Sequence, residues 1–116
     1  MMDKLNQLMK FEISKFKSAQ AIGDHQASFH HLGRAHVLSQ SSPSNHLFIH
    51  WLMFRYAIGR KDYKEILGQV LRLLVTIPGH LLGRVPVGNI GWSTVGLIEH
   101  LPLPEDLKEV INKHAR

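Results

Sequence analysis

Two histidines, His46 and His50, have the spacing that places both imidazoles on one face of a helix. Residues four positions apart lie about one helical turn from each other. At that separation two ring nitrogens can chelate a divalent metal ion. The apolar residues around this pair favour a helix, so the pair is the first candidate site.

A third ligand can come from the preceding predicted helix. If the two helices are antiparallel about a turn near Ser42 and Pro43, residue 36 lies level with about residue 49. His36 is then at the height of His50. Three imidazoles without a carboxylate or thiolate suit Zn, Cu or Ni better than Mg or Ca. The alternative is that each histidine is buried, neutral and paired with its own backbone or side-chain partner. His31 lies about a turn deeper, nearer the middle of the apolar stripe of its helix. Five further histidines show no such spacing, and we interpret them as surface or loop residues: His25, His30, His80, His100 and His114.

A glycine-rich segment over residues 79–96 is the second candidate site. Gly88-Asn89 favours a turn with positive φ, and Gly91 permits another tight bend. Backbone N–H groups of such a loop, with Arg84 beside them, can bind an anion. The segment has neither a Walker lysine nor a surrounding βαβ unit. We favour the alternative of a rigid loop over one end of the helices, anchored by Trp92, with a short strand at 84–87.

The elements that must position these residues are helices. Apolar residues recur at three- and four-residue spacing over 3–22 and 25–40, which predicts two helices separated by Gly23. A third helix is expected to follow the loop around Pro43 and to reach about residue 58. It is apolar almost all round, so we expect it to be the most buried element. A fourth helix starts near Asp62, has the cleanest amphipathic pattern, and should be broken by Pro78. A short last helix starts at Pro104.

Ala21-Ile22-Gly23 recurs 36 residues later as Ala57-Ile58-Gly59, and each copy precedes an aspartate and an amphipathic helix. This weak repeat predicts an all-α fold in which the four main helices form two antiparallel, tetratricopeptide-like hairpins. Any two helical hairpins joined by glycine turns would look similar. The length predicts a single domain over residues 1–116.

Composition limits the function classes. The chain has no cysteine, which excludes disulfides, thiolate ligands and cysteine nucleophiles. No segment resembles a signal peptide or a membrane span, so we expect a cytoplasmic protein with no membrane partner. No nucleophile has a nearby base, and the adjacent Glu105 and Asp106 have the pattern of a helix start. A non-enzymatic binding protein is therefore favoured over an enzyme.

The formal net charge of +5 bears on partners. A basic excess between Arg55 and Arg84 favours a second hypothesis, a helical-hairpin interaction module that recognises an acidic protein partner. A homodimer through the fourth helix would instead give a structural role. Nucleic acid is a weaker alternative, because the excess is small. It would use interleaved cations and aromatics that suit single strands, namely Arg55, Tyr56, Arg60, Lys61, Tyr63 and Lys64.

Five segments together resemble a family of short bacterial proteins, domain of unknown function 3703. The matching segments are Arg34–Gln40, His46-x-x-x-His50-Trp51-x-Met53, Leu67-Gly68-Gln69-x-Leu71-Arg72, Val85-Pro86-Val87-Gly88-Asn89-x-Gly91 and Pro102-x-Pro104-x-Asp106-Leu107. The resemblance spans residues 30–107 and implies no established activity. It implies an association with heavy-metal resistance genes, and the histidines that it carries over are His36, His46 and His50. Ile90, Trp92 and Val95 depart from the polar loop of that pattern, which argues against a ligand role for the loop.

Overall fold

The computed structural model describes residues 3–83, 91–93 and 102–114. These residues form five helices and, within those ranges, no strand, so the predicted all-α fold is confirmed. The helices are α1 (Asp3–Ala21), α2 (His25–Ser39), α3 (Pro43–Arg60), α4 (Tyr63–Leu81) and α5 (Glu105–His114). The short strand predicted at 84–87 lies outside the described residues.

Side-chain caps fix where three helices begin. The Asp24 carboxylate accepts a hydrogen bond from the Ala27 backbone N–H at 3.1 Å, and Asp62 accepts one from Glu65 at 3.2 Å. Ser42 caps α3 in the same way. Such caps satisfy backbone donors that the first helical turn leaves unpaired. The turns that end at these caps are short, so consecutive helices must pack side by side.

From α1 to α4, consecutive helices run antiparallel. Glu12 of α1 bonds His31 and Arg34 of α2, and His25 near the start of α2 bonds Tyr56 near the end of α3. α4 packs against α3, and α5 packs against α1. Arg34 also pairs with Asp106, which ties the last helix to the first hairpin. Two adjacent hairpins result, whereas their likeness to tetratricopeptide repeats stays a prediction.

The hydrophobic core lies between α1, α2, α3, α5 and Trp92. Trp92 is 1% exposed, its ring stacks on Phe29 with centroids 4.5 Å apart, and its indole N–H donates to the Phe29 carbonyl. The expectation that this tryptophan anchors its segment on apolar surface is confirmed. Among the described residues, α4 contributes no side chain to this core.

α4 differs from expectation in two ways. It continues through Pro78 to Leu81, although the proline was expected to break it. Pro78 is exposed, so the carbonyl that loses its helical partner there can be solvated. In addition, the fully buried residues of α4 are polar, namely Glu65, Gln69, Arg72 and Thr76, whereas its aliphatic residues are half-buried or exposed.

α3 is not the most buried element, which corrects the sequence-based expectation. Phe48, Trp51 and Ile58 are each about half exposed. α2 has the longest uninterrupted buried stretch, residues 35–39, because it lies between α1 and α3. No helix in the described ranges is both long enough and apolar enough to cross a lipid bilayer.

Candidate metal centre

Three histidine side chains converge between α2 and α3. The Nε2 atoms of His36 and His50 are 3.0 Å apart, those of His36 and His46 are 2.9 Å apart, and those of His46 and His50 are 3.2 Å apart. All three residues are buried, with exposed fractions of 2% for His36, 6% for His46 and 3% for His50. The structure therefore brings together the three rings that the spacing selected.

The positions of these rings follow from the helices that carry them. His46 and His50 occupy successive turns of one face of α3. α2 runs antiparallel to that face, which brings His36 level with the pair, as the turn near Pro43 requires. His31 points elsewhere and bonds Glu12 at 2.8 Å.

The protonation of His50 is fixed by a chain of hydrogen bonds from α4. The Gln69 amide nitrogen donates to the Glu65 carboxylate at 2.7 Å and to the Gly91 carbonyl at 2.8 Å, both of which only accept. The Gln69 carbonyl oxygen therefore faces His50 and lies 2.7 Å from its Nδ1. Since that oxygen cannot donate, Nδ1 of His50 carries the proton. Nε2 of His50 then directs its lone pair at the other two rings.

His46 has an outer partner on α4. Its Nδ1 lies 2.8 Å from Nε2 of His80, which we interpret from the sequence as a surface or loop residue. That interpretation is wrong, because α4 continues past Pro78 and its last turn returns His80 to α3. When His46 donates from Nδ1, its Nε2 lone pair also points at the common centre.

Residues 91–93 cover the remaining side of the centre. A Cβ atom built on Gly91 would lie 2.5 Å from Cδ2 of the His36 ring, so only glycine allows this approach. The segment is held by Ser93, whose backbone N–H and hydroxyl both donate to Glu65. Of the candidate loop residues, Gly91 therefore lies against the histidines. Arg84, Gly88 and Asn89 lie outside the described residues.

Burial keeps the rings of His46, His50 and His80 neutral. Removal from water, together with the neighbouring His50 and His80, lowers the pKa of His46 from 6.5 to about 3. Burial likewise lowers the pKa of His50 to about 4, against the opposing effect of its bond to Gln69. The pKa of His80 is also lowered by burial. Near neutral pH these rings offer lone pairs, as metal binding requires.

Protons alone cannot satisfy the three nitrogen contacts. A neutral imidazole has one donor nitrogen and one acceptor nitrogen. With Nε2 of His50 fixed as an acceptor, at most two of the three Nε2 pairs can be hydrogen bonds. In the third pair, the two facing nitrogens both present a lone pair or both present an N–H group. A cation at the centre would accept all three lone pairs at once.

The sequence gives only a weak signal for the outer residues of the centre. Glu65, Gln69, Arg72 and Thr76 recur at helical spacing, which is a polar face that could have been noticed. Such a face is ordinarily assigned to solvent. The contacts of His80 and Gly91 depend on how α4 and the segment after it pack, so spacing along the chain does not reveal them.

Comparison with known proteins gives one family. A family model described as "Protein of unknown function (DUF3703)" matches residues 3–111. Neither the curated proteins nor the solved structures contain a significant match to the chain. The matched range includes every described residue of the histidine centre and nearly the whole chain. The chain therefore belongs to this family of proteins of unknown function.

Proposed function

We propose that this protein binds one divalent transition-metal ion through the Nε2 atoms of His36, His46 and His50. The observation that carries the proposal is the mutual approach of the three nitrogens to between 2.9 and 3.2 Å. Tetrahedral coordination with Zn–N bonds of 2.0–2.1 Å places neighbouring nitrogens about 3.3 Å apart. The rings need to separate by only a few tenths of an ångström to hold an ion.

The surrounding hydrogen bonds support ligation by Nε2. Histidine ligands ordinarily donate their second ring N–H to a carboxylate, carbonyl or other acceptor, which fixes the tautomer and the ring orientation. His50 donates to Gln69, and His46 has His80 as its partner. Glu65 lies one further hydrogen bond away and supplies a buried negative charge that helps offset the charge of the ion.

The donor set narrows the choice of metal. Three neutral imidazoles favour Zn, Cu or Ni, whereas Mg and Ca require oxygen ligands. A water molecule or a further ligand would complete a four-coordinate site. The association with heavy-metal resistance that the family resemblance implies agrees with such a donor set. We therefore propose that this protein has a metal-binding role, and we assign it no catalytic step.

Metal titration of the tag-free protein tests the proposal. Elemental analysis and isothermal titration with Zn²⁺, Cu²⁺ and Ni²⁺ should give about one ion per chain for at least one of these metals. His50→Ala should remove most of that binding. His30→Ala is the matched control, because His30 is an exposed histidine on α2 and should bind like the wild type. A metal-free protein that gives no binding heat with any of the three ions would refute the proposal.

A further inference from the structure

The outer face of α4 is apolar along its whole length. Its large hydrophobic side chains, together with that of the residue after it, have exposed fractions between 38% and 81%. They are Tyr63, Leu67, Val70, Leu71, Leu74, Ile77, Leu81 and Leu82. A contiguous exposed surface of this kind on a small protein marks an interaction site. The opposite, polar face of α4 is buried against the histidine centre, so the helix cannot rotate to bury this apolar face instead.

The spacing on this face is that of a helix paired with another helix. Tyr63, Leu67, Val70, Leu74, Ile77 and Leu81 follow one another at alternating steps of four and three residues. This alternation is the a/d pattern of a coiled-coil seam, in which apolar residues contact a second helix throughout. We call these six residues the α4 seam. Its pattern calls for a helical partner of similar length.

The scarcity of exposed charge along the seam favours a second copy of the same helix as its partner. Along the seam, residues 63–81, the charged side chains are Lys64, Glu65 and Arg72; Glu65 and Arg72 are buried, and Lys64 is exposed in the first turn. Beyond that turn the exposed surface offers no cation to attract an acidic partner. It also offers no like charges to oppose a second copy of the same helix.

An antiparallel arrangement makes the seam self-complementary. With a twofold axis at residue 72, Val70 meets Leu74 of the second copy, Leu67 meets Ile77, and Tyr63 meets Leu81. Every seam residue thus contacts another apolar residue, as isologous symmetry requires. A helix of 19 residues is about 28 Å long, and a stable interface buries about 800 Å² on each partner. The eight exposed side chains supply surface on that scale.

We propose that the protein forms a twofold-symmetric homodimer in which the α4 seams of two copies pack antiparallel. The histidine centre lies on the opposite side of α4, so the dimer interface does not contact the proposed ligands. Dimer formation therefore does not depend on metal binding. An experiment can refute either proposal and leave the other standing.

Mass measurement tests the oligomeric state. Light scattering after size exclusion should give twice the chain mass of 13.2 kDa for the wild type. Leu74→Glu places two charges near the axis and should halve the observed mass while the helical circular dichroism is kept. Ile22→Glu is the matched control, because Ile22 is 80% exposed between α1 and α2 and should leave the dimer intact. A monomeric wild type, including one whose seam is covered by its own chain or awaits a different partner, would overturn the proposal.

Cysteine cross-linking tests the direction of pairing. Because the chain has no native cysteine, any disulfide must form between the introduced thiols. Leu71→Cys places a thiol beside the axis and should form a disulfide-linked dimer on mild oxidation. Leu81→Cys faces residue 63 of the second copy, roughly 27 Å from its own equivalent, and should not cross-link. Equal cross-linking of the two variants would indicate parallel seams and contradict the antiparallel dimer.

Discussion

Nδ1 of His46 lies 2.8 Å from Nε2 of His80, although the two histidines are 34 residues apart in the chain. Their contact depends on the last turn of α4, which continues beyond Pro78. When His46 carries its proton on Nδ1, His80 accepts that hydrogen bond, and Nε2 of His46 faces His36 and His50. His80 is thus assigned the role of a positioning residue for the proposed metal site.

Removal of His80 should weaken metal binding without abolishing it. Loss of the outer partner of a histidine ligand lowers metal affinity by about 10- to 100-fold. We expect a loss of that size for His80→Ala in isothermal titration. His80→Gln keeps an acceptor oxygen and should recover part of the loss. If both variants bind like the wild type, His80 does not position His46.

Substitution of Gly91 should disturb both the fold and the site. Gly91 has φ 85°, and an added Cβ would lie 2.5 Å from the His36 ring. Gly91→Ala should lower the free energy of unfolding by about 1–3 kcal/mol, measured by urea denaturation, and should weaken metal binding by displacing His36. Gly59→Ala is the control, since nothing lies within 4 Å of its Cβ position in α3. An affinity that is equal in the two variants would show that the approach of Gly91 does not position His36.

The metal-free protein should lose stability as the pH falls below 6.5. Because folding lowers the pKa of His46 to about 3 and that of His50 to about 4, the unfolded chain binds these protons first. The stabilising contribution is full above pH 6.5 and decreases towards pH 4, by roughly 1.4 kcal/mol per pH unit for each histidine. Urea denaturation in the presence of a chelator measures this slope. His50→Gln should make the slope shallower, and an unchanged slope in that variant would contradict the assignment.

Metal binding should rigidify α4 more than the other helices. In the described residues α4 gives no side chain to the hydrophobic core and is held by polar contacts at the histidine centre. Elements held in this way open at low free-energy cost. In the monomeric Leu74→Glu variant, whose α4 lacks the dimer contact, hydrogen exchange should therefore slow several-fold in residues 63–81 and 91–93 when Zn²⁺ is added, with smaller changes in α1. His50→Ala should show no such response, and uniform slowing along the chain would argue against a local effect.

The sequence by itself determined the helices and the inner histidines. Asp24, Ser42 and Asp62 are caps that define helix starts from local chemistry, so the starts of α2, α3 and α4 could be predicted. The four-residue spacing of His46 and His50 fixes their common face, because a helix repeats every 3.6 residues. The short turn at Pro43 then sets the height of His36.

Only the tertiary structure decided which face of α4 is buried and which residues surround the histidines. Periodicity shows that Leu67 and Leu74 share a face, but it does not show whether that face meets the core or a second molecule. Here hydrogen bonding of Glu65 and Gln69 to the segment at Gly91 turns the polar face inward. The contacts of His80 and Gly91 arise from the packing of elements far apart in the chain, which no local pattern encodes.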